Sequence, residues 1–271
     1  MILTIIVSII LICIILLLIY ILLSKHKSTK KRDRQVVIFK THTWNNDIEN
    51  FVLKILDSTT KNNIDFFVIY NSDEKIKINN NRITKILLFT KPNKIEKLYD
   101  TGFVSMWASN HWLLMWFYKN YPDYDFYWSI EYDVRIIGNM DKLWKINKKY
   151  DFVYPVKPFT NESDSWLDTY VGDIFTLKDF RFGYLQLARY SNRFLYLLDL
   201  YFINGEHAQD ELITYTIFNN AKKKYDFRGT HIYLAKHIKN SWSVDGNYSE
   251  KNHEIIKNHN GKRLLLLHPV K

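Results

Sequence analysis

Only one cysteine, Cys13, occurs in the 271 residues, and it lies inside an apolar amino-terminal run. No internal disulfide can form, and the thiol pattern gives no argument for an oxidising compartment. No Cys/His cluster with zinc-ligand spacing is present. The eight glycines form no phosphate-cradling loop, and the absence of an internal repeat excludes solenoid arrays. Acidic residues are also scarce, 28 against 38 lysines and arginines, for a net charge of +10.

That charge is unevenly spread. Residues 1–23 contain no charged side chain, and Thr4, Ser8 and Tyr20 are their polar interruptions. A helix of that length reaches a little beyond about 30 Å, enough to cross the hydrocarbon core of a bilayer. A cleaved signal peptide needs a basic start, a shorter apolar core and a small-residue cleavage site; none is evident, so the run predicts a retained transmembrane anchor. Residues 24–34 follow as a linker in which Lys25, Lys27, Lys30, Lys31, Arg32 and Arg34 outnumber Asp33, supplying half of the net +10. A basic run beside a span is first a headgroup-facing stop signal, and no nucleic-acid partner is expected from it. The positive-inside bias places the remaining domain in the cytosol. Two sequons, Asn161-Glu162-Ser163 and Asn247-Tyr248-Ser249, argue the other way, although such triplets arise by chance in an Asn-rich chain. A single-pass membrane protein is expected, with its orientation left open.

The rest of the chain, residues 35–271, reads as one α/β domain. A β-branched strand at 35–40 is followed by Ile48, Phe51, Val52, Ile55 and Leu56 at helical spacing, a second strand at 65–70 and a third at 83–89. This alternation predicts a mixed, mainly parallel sheet flanked by helices. Residues 105–120 are apolar on nearly every side and predict a buried helix, closed by Pro122, whose tryptophans read as core. A short helix is expected at 140–150 and a strand at 152–156, with Pro155 marking an edge or an end. Residues 157–182 show no clear period and carry Trp166, Asp168, Tyr170 and Asp173, the pattern of a binding loop. A strand at 184–190 leads to Ser191, which caps a helix through Phe194, Leu195, Leu198 and Tyr201. A further helix starts at Asp210 and Glu211, and an apolar run at 263–267 ends in His268-Pro269-Val270-Lys271.

The stretch around which these elements group is 124–135, an aromatic β-type run ending in Glu131 and Asp133. Carboxylates are seldom buried in such a core unless satisfied, so the pair belongs at the strand's carboxyl edge. In open α/β sheets ligands bind at that edge, and two carboxylates there suit a hard divalent cation. An acidic pair at a strand end also commonly just faces solvent. His268 has the bland alternative of a surface histidine near a frayed terminus. Asp210 and Glu211 are favoured in a first helical turn by the helix dipole alone.

Tyr127-Trp128-Ser129-Ile130-Glu131-Tyr132-Asp133-Val134-Arg135, followed by Gly138-Asn139, resembles the metal-site segment of GT-A fold glycosyltransferases, whose signature is Asp-any-Asp. The terminal His-Pro-Val-Lys is similar to that of some members. Together the order of elements over residues 36–271 and about a dozen motif residues carry the resemblance. It implies a GT-A, Rossmann-like domain that transfers a sugar from a nucleotide-sugar donor to a glycan or glycoprotein acceptor with Mn2+ (or Mg2+). Asp133 and His268 are then the metal ligands, and Asp210 and Glu211 the candidate catalytic carboxylates. Thr41, His42, Asp73, Glu131 and Lys271 are the candidate donor contacts. Glu131 stands where the family has its first aspartate, and its longer side chain suits a ribose hydroxyl or a water better than direct ligation. Two other readings use the same residues: a membrane-tethered binding protein in which the acidic pair is structural, and a metal-dependent phosphoesterase.

Overall fold

A computed structural model of the protein describes residues 33–72, 76–89, 110–160, 165–238, 242–243, 248–260 and 263–270. The predicted anchor at 1–23 and most of the linker lie outside the described residues; among the described residues no helix is long and apolar enough to cross a membrane. From Arg34 onward the chain forms one unit.

Strand β1 (Gln35–Thr41) lies in the interior of its main sheet. Val36 and Ile38 face one hydrophobic core and Val37 and Phe39 the other, which is why this run shows no polar alternation. Helix α1 (Asn46–Lys61) starts where the Asn45 side chain accepts a hydrogen bond from Ile48 N at 2.9 Å, and it buries Ile48, Phe51, Val52 and Ile55. It leads into β2 (Asp65–Tyr70), parallel to β1. The predicted third strand shortens to β3 (Ile86–Leu88), parallel to β2. Helix α2 (His111–Asn120) is buried around most of its girth, as its composition predicts; residues 105–109 lie outside the described residues. Strand β4 (Phe126–Glu131) then returns to pair parallel with the other side of β1.

The second half completes the sheet and covers it. In order come β5 (Arg135–Ile137), α3 (Asp141–Trp144), β6 (Phe152–Val153), β7 (Leu187–Ser191), α4 (Asn192–Ile203), α5 (Asp210–Lys224), β8 (Gly229–Thr230), α6 (Ile232–Ala235), α7 (Tyr248–Asn258) and β9 (Leu265–Leu267). The main sheet runs β3-β2-β1-β4-β7-β6-β8, with β7 antiparallel to both neighbours, while β5 and β9 form a separate antiparallel pair. Helices α2, α4 and α5 pack on one face of the sheet. Helices α1 and α3 pack on the other, together with β5 and β9. The strand order reverses between β1 and β4, and the carboxyl ends of strands at such a reversal flank the crevice where α/β folds take ligands.

The predicted helix at 140–150 and the predicted strand at 152–156 are both shorter in the structure. Only Asp141–Trp144 is helical. Beyond it the carbonyls of Ile146, Asn147 and Tyr150 accept hydrogen bonds from the guanidinium of Arg189 at 2.8, 2.9 and 3.0 Å. The strand stops at Val153, ahead of Pro155, which has no N–H to give a ladder. Arg189 is itself fully buried, with its guanidinium 4.6 Å above the Phe126 ring, and desolvation pulls its pKa down to about 10. Removing the side chain strands the buried Ile146 carbonyl at a cost on the order of 1–3 kcal/mol, takes a partner from the part-buried Asn147 and Tyr150 carbonyls, and leaves a cavity at a fully buried site. Arg189→Ala should therefore lower the unfolding free energy by about 3 kcal/mol or more in urea denaturation; a loss under about 1 kcal/mol contradicts this role.

Candidate functional site

The parallel register of β1 and β4 sets Lys40 beside Glu131 at the carboxyl edge of the sheet. Lys40 is 5% exposed, and its Nζ lies 3.7 Å from Glu131 Oε1. The same oxygen accepts a hydrogen bond from Asn110 Nδ2 at 2.6 Å, so Glu131 is compensated on one side by a lysine and an amide. The chain turns directly afterwards, with Val134 N donating to Glu131 O at 3.1 Å, and the turn carries Asp133.

Strand β5 leaves that turn and pairs with β9, Arg135 opposite Leu267. His268, one residue past β9, is thereby laid beside Asp133. Val270 N donates to Asp133 O at 2.8 Å and fixes the crossing. His268 Nε2 and Asp133 Oδ1 are 3.4 Å apart, with both side chains under a tenth exposed. One ligand-type atom each from Glu131, Asp133 and His268 lies within 4.8 Å of the others.

This trio fits a divalent cation on its own chemistry. Asp133 Oδ1 is buried and makes no hydrogen bond, a state that costs on the order of 1–3 kcal/mol when nothing satisfies the group. Donors sharing one hard cation at about 2.1 Å stand about 3 Å apart, close to the spacing of Asp133 and His268. Glu131, already engaged through Oε1, has the weaker claim to ligation.

The two carboxylates that begin α5 lie within electrostatic reach of the trio. Gln209 caps the helix, accepting from Leu212 N at 3.0 Å through Oε1 and donating through Nε2 to Asp210 Oδ1 at 3.0 Å. Burial and then the Glu131 charge push Asp210 up to about 8, against the pull of Lys40. Glu211 is raised well above its usual range by burial, by Asp210 and by Glu131. Its Oε1 accepts from Gln186 Nε2 at 2.7 Å, which works in the opposite direction. The helix N-terminus favours both carboxylates but does not offset their desolvation.

Among the remaining sequence candidates, Thr41 is buried at the end of β1, its hydroxyl bound to the backbone of Thr43. His42 is exposed and meets Tyr132 edge-on at 4.6 Å. Asp73 and Lys271 lie outside the described residues. The described part of the predicted binding loop packs against the segment leading into α5: Glu206 is buried and accepts hydrogen bonds from the Tyr170 hydroxyl, Asp173 N and Ile174 N, Val171 pairs with His207, and Gln209 N donates to Thr169 Oγ1 at 2.9 Å.

Four site residues escaped the sequence reading: Lys40, Asn110, Gln186 and His111. Lys40 carried a signal, a charge closing an apolar strand at a ligand-binding edge. Asn110 and Gln186 matter only through partners supplied by other elements. His111 opens α2 fully buried, and burial, then His207 and Lys40, pull it down to about 3, so it is neutral at pH 7.

Residues 78–166 match a family described as "Protein of unknown function (DUF3405)". No curated protein matches the chain. Among solved structures, core-mannan synthase A (CmsA/Ktr4) from Aspergillus fumigatus in its Mn/GDP form is similar at 13% identity and a TM-score of 0.38, covering 70% of each chain. The mannosyltransferase Ktr4p from S. cerevisiae is similar at 10% identity and a TM-score of 0.35, over 67% of this chain and 66% of that one. A glycosyltransferase involved in glycosylation of the major capsid of PBCV-1 is similar at 7% identity and 0.36, over 73% and 80%. At scores this low they carry no weight in the functional reading, which rests on the site residues.

The raised carboxylates predict a pH dependence of stability in the metal-free protein. Burial and the Glu131 charge hold Asp210 up at about 8 in the folded state against 3.8 for an ordinary aspartate, so the folded state holds a proton that the unfolded chain releases. Its contribution is complete below about pH 4 and is lost as pH rises through about 8. Unfolding free energy should fall from about pH 5 to about pH 8, and Asp210→Asn should flatten that fall. Urea titrations of both proteins across the range check it; equal slopes contradict the assignment.

Proposed function

We propose that this chain is a membrane-anchored glycosyltransferase of GT-A type, transferring a sugar from a nucleotide-sugar donor to a glycan or glycoprotein acceptor with Mn2+ or Mg2+. The observation that carries the reading is the meeting of Glu131, Asp133 and His268 at the carboxyl edge of the sheet, beside the strand reversal, with the Asp210 and Glu211 carboxylates alongside. A tethered binding protein in which the acidic pair is structural leaves the buried Asp210 and Glu211 carboxylates without a task, and a metal-dependent phosphoesterase is separated from the transferase by the donor panel below.

Each residue has a task in this reading. Asp133 and His268 hold the cation. When bound, the cation supplies Lewis-acid stabilisation of the departing nucleoside diphosphate. Glu131, 3.7 Å from the Lys40 ammonium, accepts a hydrogen bond from a ribose hydroxyl or a water. Thr41, His42 and Asp73 meet the nucleoside at the ends of the first two strands, and Lys271 adds positive charge near the phosphates. Asp210 or Glu211 takes the acceptor hydroxyl's proton if the anomeric carbon inverts, a task for which a carboxylate titrating near working pH is suited. Residues 1–23 tether the domain to the bilayer, and the basic linker meets its headgroups.

The full-length chain, incubated with manganese and a panel of nucleotide sugars, should hydrolyse or transfer at least one donor. Asp133→Ala should lower that manganese-dependent turnover by at least about 100-fold while leaving the circular dichroism spectrum unchanged. A wild-type chain that neither binds nor turns over any donor defeats the transferase reading.

A further inference from the structure

The trio and the α5 carboxylates are joined by a residue that the reading above leaves without a task. Trp242 is 9% exposed and forms a parallel bridge with His268, reinforced by Ser243 N donating to His268 O at 3.0 Å. Its indole ring is tilted against the His268 imidazole at a centroid distance of 5.3 Å. Its Nε1 donates to Gln186 Oε1 at 3.3 Å. With that oxygen taken, the Gln186 amide is oriented so that its Nε2 donates to Glu211 Oε1, at 2.7 Å. Leu185 N approaches the same oxygen at 3.4 Å. An indole N–H is a donor only, so the direction of the chain from Trp242 through Gln186 to Glu211 is unambiguous. A phenyl ring in its place keeps the packing surface and loses the direction.

From this geometry we infer that Trp242 is a positioning residue with two separable arms, resting on the transferase reading above. The ring arm holds the His268 imidazole against Asp133. The N–H arm locks the Gln186 amide so that the Glu211 carboxylate keeps one orientation beside the cation site. Partners that orient a metal ligand or a catalytic carboxylate typically change affinity or activity 10–100-fold when removed, although they touch neither cation nor substrate.

Two substitutions in the full-length chain separate the arms, with manganese affinity measured by titration calorimetry and turnover measured on the donor that the panel identifies. Trp242→Phe keeps a ring on His268 and removes the N–H. It should bind manganese within about threefold of wild type, with kcat about tenfold lower or worse and KM little changed. Gln186→Leu should reproduce that loss, and the double variant should be no worse than either single one. Trp242→Leu removes the ring as well and should weaken manganese binding about tenfold or more. Wild-type kcat in Trp242→Phe, or fully additive losses in the double variant, overturns the N–H arm. Wild-type manganese affinity in Trp242→Leu overturns the ring arm. If the wild-type chain turns over no donor, the transferase reading fails by itself, and the manganese titrations still decide the ring arm.

Discussion

The three-residue pairing of β5 with β9 is the contact on which the site depends. Asp133 and His268 are 135 residues apart in the sequence, and neither can recruit the other locally. Leu265, Leu266 and Leu267 supply the apolar side chains that dock this strand, and Arg135 opposite Leu267 sets the register that lays His268 beside Asp133. A slip of one residue in that ladder turns every side chain to the other face. The Val270 N–H on the Asp133 carbonyl and the Trp242 bridge to His268 flank the ladder and hold it in place. Folding of the whole domain thus precedes the site.

A second constraint is electrostatic. Glu131, Asp210 and Glu211 converge where Lys40 is buried with them. Two of the three carboxylates respond by favouring their protonated forms, and Asp133 stands 3.4 Å from a histidine, which is charged only when protonated. A cluster so arranged costs stability at neutral pH, the usual mark of a site shaped for something other than folding. A cation placed between Asp133 and His268 satisfies the orphaned oxygen and lowers the local negative potential at once.

Much of this was legible before any coordinates. The unbroken β-branched run at 35–40 marks a strand covered on both faces, and the alternation that follows implies a mainly parallel sheet; both are found. Glu131 and Asp133 were placed at a strand's carboxyl edge because a buried aromatic strand tolerates few carboxylates, and Glu131 does end β4. What the sequence obscured was set by partners distant along the chain. The 140–150 segment is helical only over Asp141–Trp144, and its later carbonyls at Ile146, Asn147 and Tyr150 are held by Arg189, which β7 brings from more than thirty residues away. Strand β5 is three residues long and is a strand only because β9 arrives beside it. Helix α7 is largely polar and buries little beyond Asn252. Gln186 and Trp242 show no motif, since their importance lies in hydrogen bonds to residues that other elements bring.

The account's central claim is that Asp133 and His268 jointly hold a divalent cation. Anomalous scattering from crystals of the protein soaked in manganese tests it most directly. The predicted result is a single strong peak about 2.2 Å from both an Asp133 carboxylate oxygen and His268 Nε2. A peak held instead by Asp210 and Glu211, or no peak at the trio with manganese in excess, contradicts it.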